Sequence, residues 1–231
     1  MSETPGEREH ERIHTFKKRR GRYTAQQTDA LARLPEQFML EPSQLQPLSA
    51  HFGARAVILE IGFGMGDATW RLALDQPQFG VLAVDVHTPG VGKLLAELET
   101  HGLDNVRVVE GDAVEILNDQ LTAASLHGVR IFFPDPWPKK KHHKRRLVSA
   151  ATLDLLADRI APGGFVHFAT DWLEYADVVR ELLGQHPAFT LLPAGEAAAG
   201  ADPQARPLTG YERRGLAVGR VITDLVAVRN G

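Results

Sequence analysis

The stretch Ala56-Val57-Ile58-Leu59-Glu60-Ile61-Gly62-Phe63-Gly64-Met65-Gly66-Asp67 decides the fold. A short, mostly apolar run stops at three alternating glycines, and apolar residues at helical spacing follow from Asp67 to Asp75. Strand, tight turn and helix in that order open a strand–helix unit. Glycine tolerates the sharp turn and lets a ligand approach the main chain closely. A dinucleotide site would need G-x-G-x-x-G, with glycine at position 67, where this chain has Asp67. No Lys-Ser/Thr pair follows for a phosphate-binding loop. The pattern is instead acid-x-G-x-G-x-G, with Glu60 as the acid.

Working outward, the alternation continues. Strands are expected at 80–84, 106–109, 129–133 and 165–169, with helices over 93–101, 146–160 and 172–183. Pro162-Gly163-Gly164 should end the helix over 146–160. Residues 189–192 and 221–228 supply the last two strands, and the Ala/Gly/Pro-rich stretch from Pro193 to Pro207 reads as a long irregular loop. Strands alternating with helices imply a mostly parallel, doubly wound α/β sheet of seven strands with helices on both faces. Residues 1–35 are polar and weakly periodic, and are expected to form a flexible basic arm ahead of a single domain over 36–231.

Ligands of such sheets sit at the carboxyl ends of the strands, so the residues there carry the functional reading. Strand two ends in Asp85, 19 residues after Gly66, where an acid can accept both hydroxyls of a ribose or cap a turn. Strand three runs into Glu110-Gly111-Asp112, and Asp112 can contact a ligand, cap the next helix, or do both. Strand four ends in Phe132-Phe133-Pro134-Asp135-Pro136-Trp137-Pro138. Two prolines fix the turn around Asp135. Its carboxylate suits the edge of a planar base, and Trp137 offers stacking surface unless it packs into the core. Strand five ends at Thr170-Asp171, and Thr209-Gly210-Tyr211-Glu212 places another acid beside an aromatic.

The 231 residues, 43% of them hydrophobic, suffice for one well-buried core. Cysteine is absent, which excludes disulfides, thiolate-held zinc and a cysteine nucleophile. The histidines lack metal-ligand spacing, so no metal is expected. The beginning of the chain is charged, and no apolar run approaches membrane-spanning length, so a cytoplasmic protein away from membranes is expected. Net charge is only −3, but two blocks hold 12 of the 26 Lys and Arg. One runs from Arg12 to Arg22; the other comprises Lys139, Lys140, Lys141, Lys144, Arg145 and Arg146, with His142 and His143 inside it. Such segregation suits two contacts with a polyanion, although each block alone could be a solvated segment.

Together these residues resemble the bacterial tRNA (guanine-N7)-methyltransferase family over about residues 15–228. The most specific element is Phe132-Phe133-Pro134-Asp135-Pro136-Trp137-Pro138-Lys139-Lys140-Lys141-His142-His143-Lys144-Arg145-Arg146-Leu147, joined by Val86-His87-Thr88-Pro89-Gly90-Val91-Gly92 and Thr170-Asp171. The glycine turn is similar to motif I of class I methyltransferases, which implies a Rossmann-like fold and S-adenosylmethionine as cofactor. That cofactor carries an ammonium and a sulfonium but no phosphate, which accounts for Glu60 in place of an anion cradle. The resemblance implies cofactor contacts from Glu60, Gly62, Gly64, Gly66, Asp85, Asp112 and Asp135, with Asp135 also catalytic. It implies substrate contacts from Lys139, Asp171, Thr209, Gly210, Tyr211 and Glu212, and RNA contacts from Lys141, His142, His143, Lys144, Arg145 and Arg146. The implied partner is tRNA, methylated at its variable-loop guanosine, position 46, by a monomer or weak homodimer with no obligatory protein partner. Three positions depart from the family pattern: Asp85 stands where glutamate is usual, Gly210 where lysine is usual, and Tyr211 where phenylalanine is frequent. An amino-methylating DNA enzyme with a D-P-P-W motif is the rival, weakened by Trp137 in place of the second proline. A tRNA-binding protein without catalysis is the other, opposed by intact Glu60, Gly62, Gly64 and Asp135.

Overall fold

The computed structural model describes residues 23–231. The basic block from Arg12 to Arg22 lies outside them. The elements run α1 (Ala25–Arg33), α2 (Pro35–Phe38), α3 (Ser49–Phe52), β1 (Ala56–Ile61), α4 (Asp67–Asp75), β2 (Phe79–Asp85), α5 (Thr88–Thr100), β3 (Val106–Glu110), α6 (Ala113–Glu115), β4 (Leu126–Phe132), α7 (Ala150–Arg159), β5 (Ile160–Thr170), α8 (Leu173–Gln185), β6 (Phe189–Leu191), α9 (Gly210–Ala217) and β7 (Thr223–Arg229). The seven strands form one sheet in the order β3-β2-β1-β4-β5-β7-β6. All neighbours are parallel except β7, which runs antiparallel to both β5 and β6. No helix among the described residues is long and apolar enough to cross a membrane.

Helices cover both faces of the sheet, so its central strands are apolar almost throughout. Ile58, Leu59, Leu82, Val84, Val129 and Ile131 are buried. Chain order reverses between β1 and β4, which lie side by side in the register Glu60↔Arg130 and Ile61↔Ile131. That reversal opens a crevice at the strand ends, and it falls where the glycine turn and the Asp135 turn leave the sheet.

Three expectations are corrected. The stretch read as the end of an irregular arm forms α1 from Ala25. Thr24 caps it reciprocally with Gln27: Thr24 Oγ1 accepts from the Gln27 amide and the Thr24 amide donates to Gln27 Oε1. Gln27 is buried and donates to the Pro89 carbonyl at 3.0 Å, and Arg33 grips Glu99 bidentately at 2.8 and 2.9 Å, so α1 is docked on α5. Second, the helix expected from Arg146 begins at Ala150, where the Ser149 hydroxyl accepts from the Thr152 amide. The Val148 amide donates to the Tyr175 hydroxyl instead of a helical carbonyl. Third, β5 already begins at Ile160, with a register shift opposite Leu126–Gly128 that absorbs Pro162-Gly163-Gly164.

Candidate active site

The glycine turn takes the left-handed backbone the sequence suggested: Gly62 has φ 75°, Gly64 60° and Gly66 75°. Asp85 at the end of β2 holds the turn. Its Oδ2 accepts from the Gly64 amide at 2.6 Å, and its Oδ1 from the His87 amide at 2.9 Å. With the Val86 amide also bonded to this carboxylate, acceptor capacity remains for a ligand hydroxyl. Burial raises the Asp85 pKa, and those backbone amides oppose the rise. The glycines of Pro89-Gly90-Val91-Gly92 also find a physical reason. A Cβ on Gly90 would lie 1.7 Å from the Gly64 carbonyl oxygen, and one on Gly92 2.8 Å from the Gln27 carbonyl oxygen. Bare backbone at these positions lets α5 press on the turn from one side and receive α1 on the other.

Glu60 is buried at the base of the crevice. One oxygen accepts from the Thr69 hydroxyl at 3.1 Å, while Oε2 is buried without a hydrogen-bond partner. Burial pushes its carboxyl up to about 7, against the pull of Arg130 on the adjacent strand. Arg130 is buried too, with one guanidinium nitrogen bonded to Gln76 Oε1 and the Gly200 carbonyl and the other unpartnered. An unsatisfied buried carboxylate oxygen beside a glycine cradle fits a cationic ligand group. Asp112 caps α6 through the Val114 amide at 2.9 Å, and it also lines the same crevice.

On the other wall, Phe133 and Trp137 have φ of 52° and 44°. Two bulky left-handed residues therefore bracket Pro134-Asp135-Pro136, a strained turn of the kind found where a side chain must be aimed. The Phe133 amide anchors it to the Ala169 carbonyl at 2.7 Å. Asp135 is half-buried and lines the crevice. Trp137 does not offer its face to a base: it is 4% exposed, with the His142 ring edge-on at 5.8 Å and the Arg145 guanidinium 5.0 Å from its centroid. Arg146 likewise turns inward. Its Nε donates to the Pro136 carbonyl at 2.9 Å, its fork grips Glu174, and it lies over the Tyr175 ring. Arg146 secures the Asp135 turn from behind and is not presented to RNA. Its fork holds the Glu174 carboxyl below the usual range. Lys139, Lys140, Lys141, Lys144 and Arg145 are exposed, whereas His142 and His143 are half-buried.

The third wall is the start of α9. Thr209 and Glu212 form a reciprocal cap, which turns a segment that read as a cap or turn into a helix. Tyr211 lies over the glycine turn, with its Cε2 3.6 Å from where a Gly64 Cβ would be. Arg214 stacks on the Tyr211 ring at 4.7 Å. A side chain at position 210 would meet open space, so Gly210 is not required sterically. Two of the acids expected to meet substrate carry arginine partners: Asp171 accepts from Arg220 at 2.6 Å, and Glu212 is gripped bidentately by Arg206.

The crevice is lined by Glu60, Gly62, Gly64, Asp85, Asp112, Asp135, Thr209, Gly210 and Tyr211, all expected from sequence. Gly66, Lys139, Asp171, Glu212 and the basic segment lie outside its lining. Arg130, Arg206 and Arg214 escaped the sequence reading: the partners of Arg130 lie 54 and 70 residues away, and nothing in the sequence around Arg206 and Arg214 marks which acid or ring each turns to.

A family model described as a putative methyltransferase matches residues 54–225. The tRNA (guanine-N(7)-)-methyltransferase of Streptomyces avermitilis is 49% identical, over 93% of this chain and 74% of its own length. That of Thiobacillus denitrificans is 46% identical, over 93% and 94%. Among solved structures, the 16S rRNA (adenine(1408)-N(1))-methyltransferase from Catenulisporales acidiphilia superposes with a TM-score of 0.52 at 17% identity, covering 83% of this chain and 94% of that one. The aminoglycoside resistance methyltransferase NpmB1 gives 0.52 at 15%, covering 81% and 93%. The two structures share the Rossmann-like fold of class I methyltransferases, and the sequence relatives fix the family. The chain belongs to the tRNA (guanine-N7)-methyltransferase family.

Proposed function

We propose that the protein transfers a methyl group from S-adenosylmethionine to N7 of a guanosine in tRNA, the variable-loop guanosine at position 46, forming 7-methylguanosine. The observation that carries this reading is Asp135 aimed into the crevice by a strained turn, with the exposed Lys139–Arg145 segment continuing from that turn. Bound S-adenosylmethionine supplies a methyl group activated by its sulfonium. Glu60 would meet the cofactor's ammonium, Asp85 its ribose hydroxyls and Asp112 its adenine. Guanine N7 has a free lone pair, so no proton has to leave before attack, and the site's task is positioning and electrostatic stabilisation. Asp135, which lines the crevice where Asp171 and Glu212 do not, would accept the hydrogens of guanine N1 and N2. The exposed Lys139, Lys140, Lys141, Lys144 and Arg145 would hold phosphates beside the reacting base.

Mass analysis of nucleosides from tRNA incubated with cofactor tests the product, and 7-methylguanosine is expected. A methylated amino group on a DNA base would favour the rival enzyme. Asp135→Ala should lower the single-turnover rate at saturating tRNA by about 10²–10³, the scale of one preorganised group. A near-normal saturated rate with weakened tRNA binding would reduce Asp135 to a docking residue and refute the mechanism.

A further inference from the structure

Helix α9 closes one wall of the crevice, yet its only buried residues are Glu212 and Gly215. Leu216 and Tyr211 are about half exposed. Apart from the Tyr211 ring over the glycine turn, the contacts that dock this helix are polar. At its centre, Gly215 lies against Asp171: a Cβ there would be 3.1 Å from Asp171 Oδ2. At its start, Arg206 holds Glu212 with two parallel bonds of 2.7 and 2.9 Å. The same guanidinium holds Asp224 of β7 with two more, of 2.8 and 3.0 Å. Its carbon lies 5.5 and 5.3 Å from the ring centroids of Phe132 and Phe133, the residues that lead into the Asp135 turn. Asp224 also bonds His167 Nε2 at 2.9 Å, and His167 packs edge-on against Phe132.

We infer that Arg206 is a positioning residue that docks α9 over the crevice and locks it to the Asp135 turn, so that the cofactor-side wall and the acceptor-side wall move as one piece. The side chain of Arg206 is 4% exposed, so its fork is shielded from competing water and salt. Only a guanidinium can satisfy two carboxylates bidentately while its carbon sits over two rings. Without it, the buried Glu212 carboxylate keeps only the Thr209 amide and no countercharge, and the helix is left with only the half-exposed Tyr211 ring to hold it down. The geometry also gives Glu212 a task other than contacting substrate: it is the handle by which the lid is held.

The inference rests on the crevice being the cofactor site, and the experiment separates the two. Arg206→Met and Arg206→Lys, with Glu212→Gln as a milder break that keeps the side chain's shape, are titrated with S-adenosylhomocysteine. Hydrogen exchange is followed for residues 208–218 and for β1 to β5. Arg206→Met should weaken S-adenosylhomocysteine binding at least tenfold and raise exchange over 208–218, with protection of β1 to β5 unchanged. Glu212→Gln should move both readouts in the same direction, and Arg206→Lys should restore binding partly. Unchanged affinity and exchange in Arg206→Met or Glu212→Gln would overturn the inference. Loss of protection throughout the sheet in both would also overturn it, making the cluster plain core structure. Failure of the wild-type protein to bind S-adenosylhomocysteine at all would instead sink the cofactor assignment.

Discussion

Gly90→Ala perturbs the close contact by which α5 presses on the glycine turn. The added Cβ would stand 1.7 Å from the Gly64 carbonyl oxygen and 2.9 Å from its carbon. Ordinary contact distances for such atoms exceed 3 Å by a few tenths, so roughly 1.5 Å of separation must be found. Helix α5 resists retreating, because Gln27 holds the Pro89 carbonyl and Leu94 packs where a Gly66 Cβ would sit. If the turn moves instead, the Gly64 amide leaves Asp85 Oδ2, a bond of 2.6 Å to a carboxylate. Overpacking costs about 1–3 kcal/mol, and a hydrogen bond to a charged group about 1.5–3 kcal/mol. The variant should therefore melt several degrees lower, at about 2–4 °C per kcal/mol for a chain of this size. Affinity for S-adenosylhomocysteine should fall by about ten- to a hundredfold. Gly184→Ala on α8, where the new methyl meets open space, is the control, expected to be neutral or stabilising by up to about 1 kcal/mol. Scanning calorimetry and titration calorimetry on both variants test this. Wild-type affinity and melting in Gly90→Ala would refute the close-approach argument.

Other perturbations test the remaining walls. The folded state binds the Glu60 proton more tightly than the unfolded chain, so that stabilisation is present below about pH 4.5 and disappears as pH rises through about 7. Wild type should accordingly lose up to about 3 kcal/mol relative to Glu60→Gln between pH 4.5 and 7.5 in denaturant titrations; a pH-independent difference would show that Glu60 is not perturbed. Arg146→Met should lower the melting temperature and the methylation rate while leaving the salt dependence of tRNA binding intact, because its bonds go to Glu174 and Pro136. The double change of Lys144 and Arg145 to Ala should do the opposite, reducing the log–log salt slope by about 0.7–0.9 per lost phosphate contact at a stability cost of about 0.5–1 kcal/mol for the lost Arg145–Trp137 contact; an unaltered slope would leave the segment merely solvated.

The glycine turn was legible because its information is local: strand, turn and helix α4 follow one another within twenty residues, and the alternation of strand and helix fixes the sheet. Asp85, Asp112 and Asp135 followed from their places at strand ends. What the sequence hid depends on direction or distance. In Lys144-Arg145-Arg146 the charges look alike, but Arg145 is exposed and Arg146 is buried, and only packing against Tyr175 separates them. Trp137 could face a base or the core, and the strained backbone decides for the core. Helix α1 was masked by its charged neighbourhood, although Thr24-Ala25-Gln26-Gln27 has the spacing of a capping box. Arg130 beside Glu60 needs the register of two strands seventy residues apart, and Arg206 with Asp224 needs a strand the chain has not yet reached.

That last strand has a bearing on how the molecule is born. β7 slots between β5 and β6, both made earlier, so until it emerges from the ribosome two sheet edges stay open and Arg206 lacks Asp224. A nascent chain exposing such edges is prone to pair with its neighbours. The lid helix precedes β7 by only a few residues, so it cannot be locked to the sheet before β7 has been made. The closed crevice is thus tied to the pairing of seven residues, Thr223 to Arg229, which bring Asp224 to Arg206.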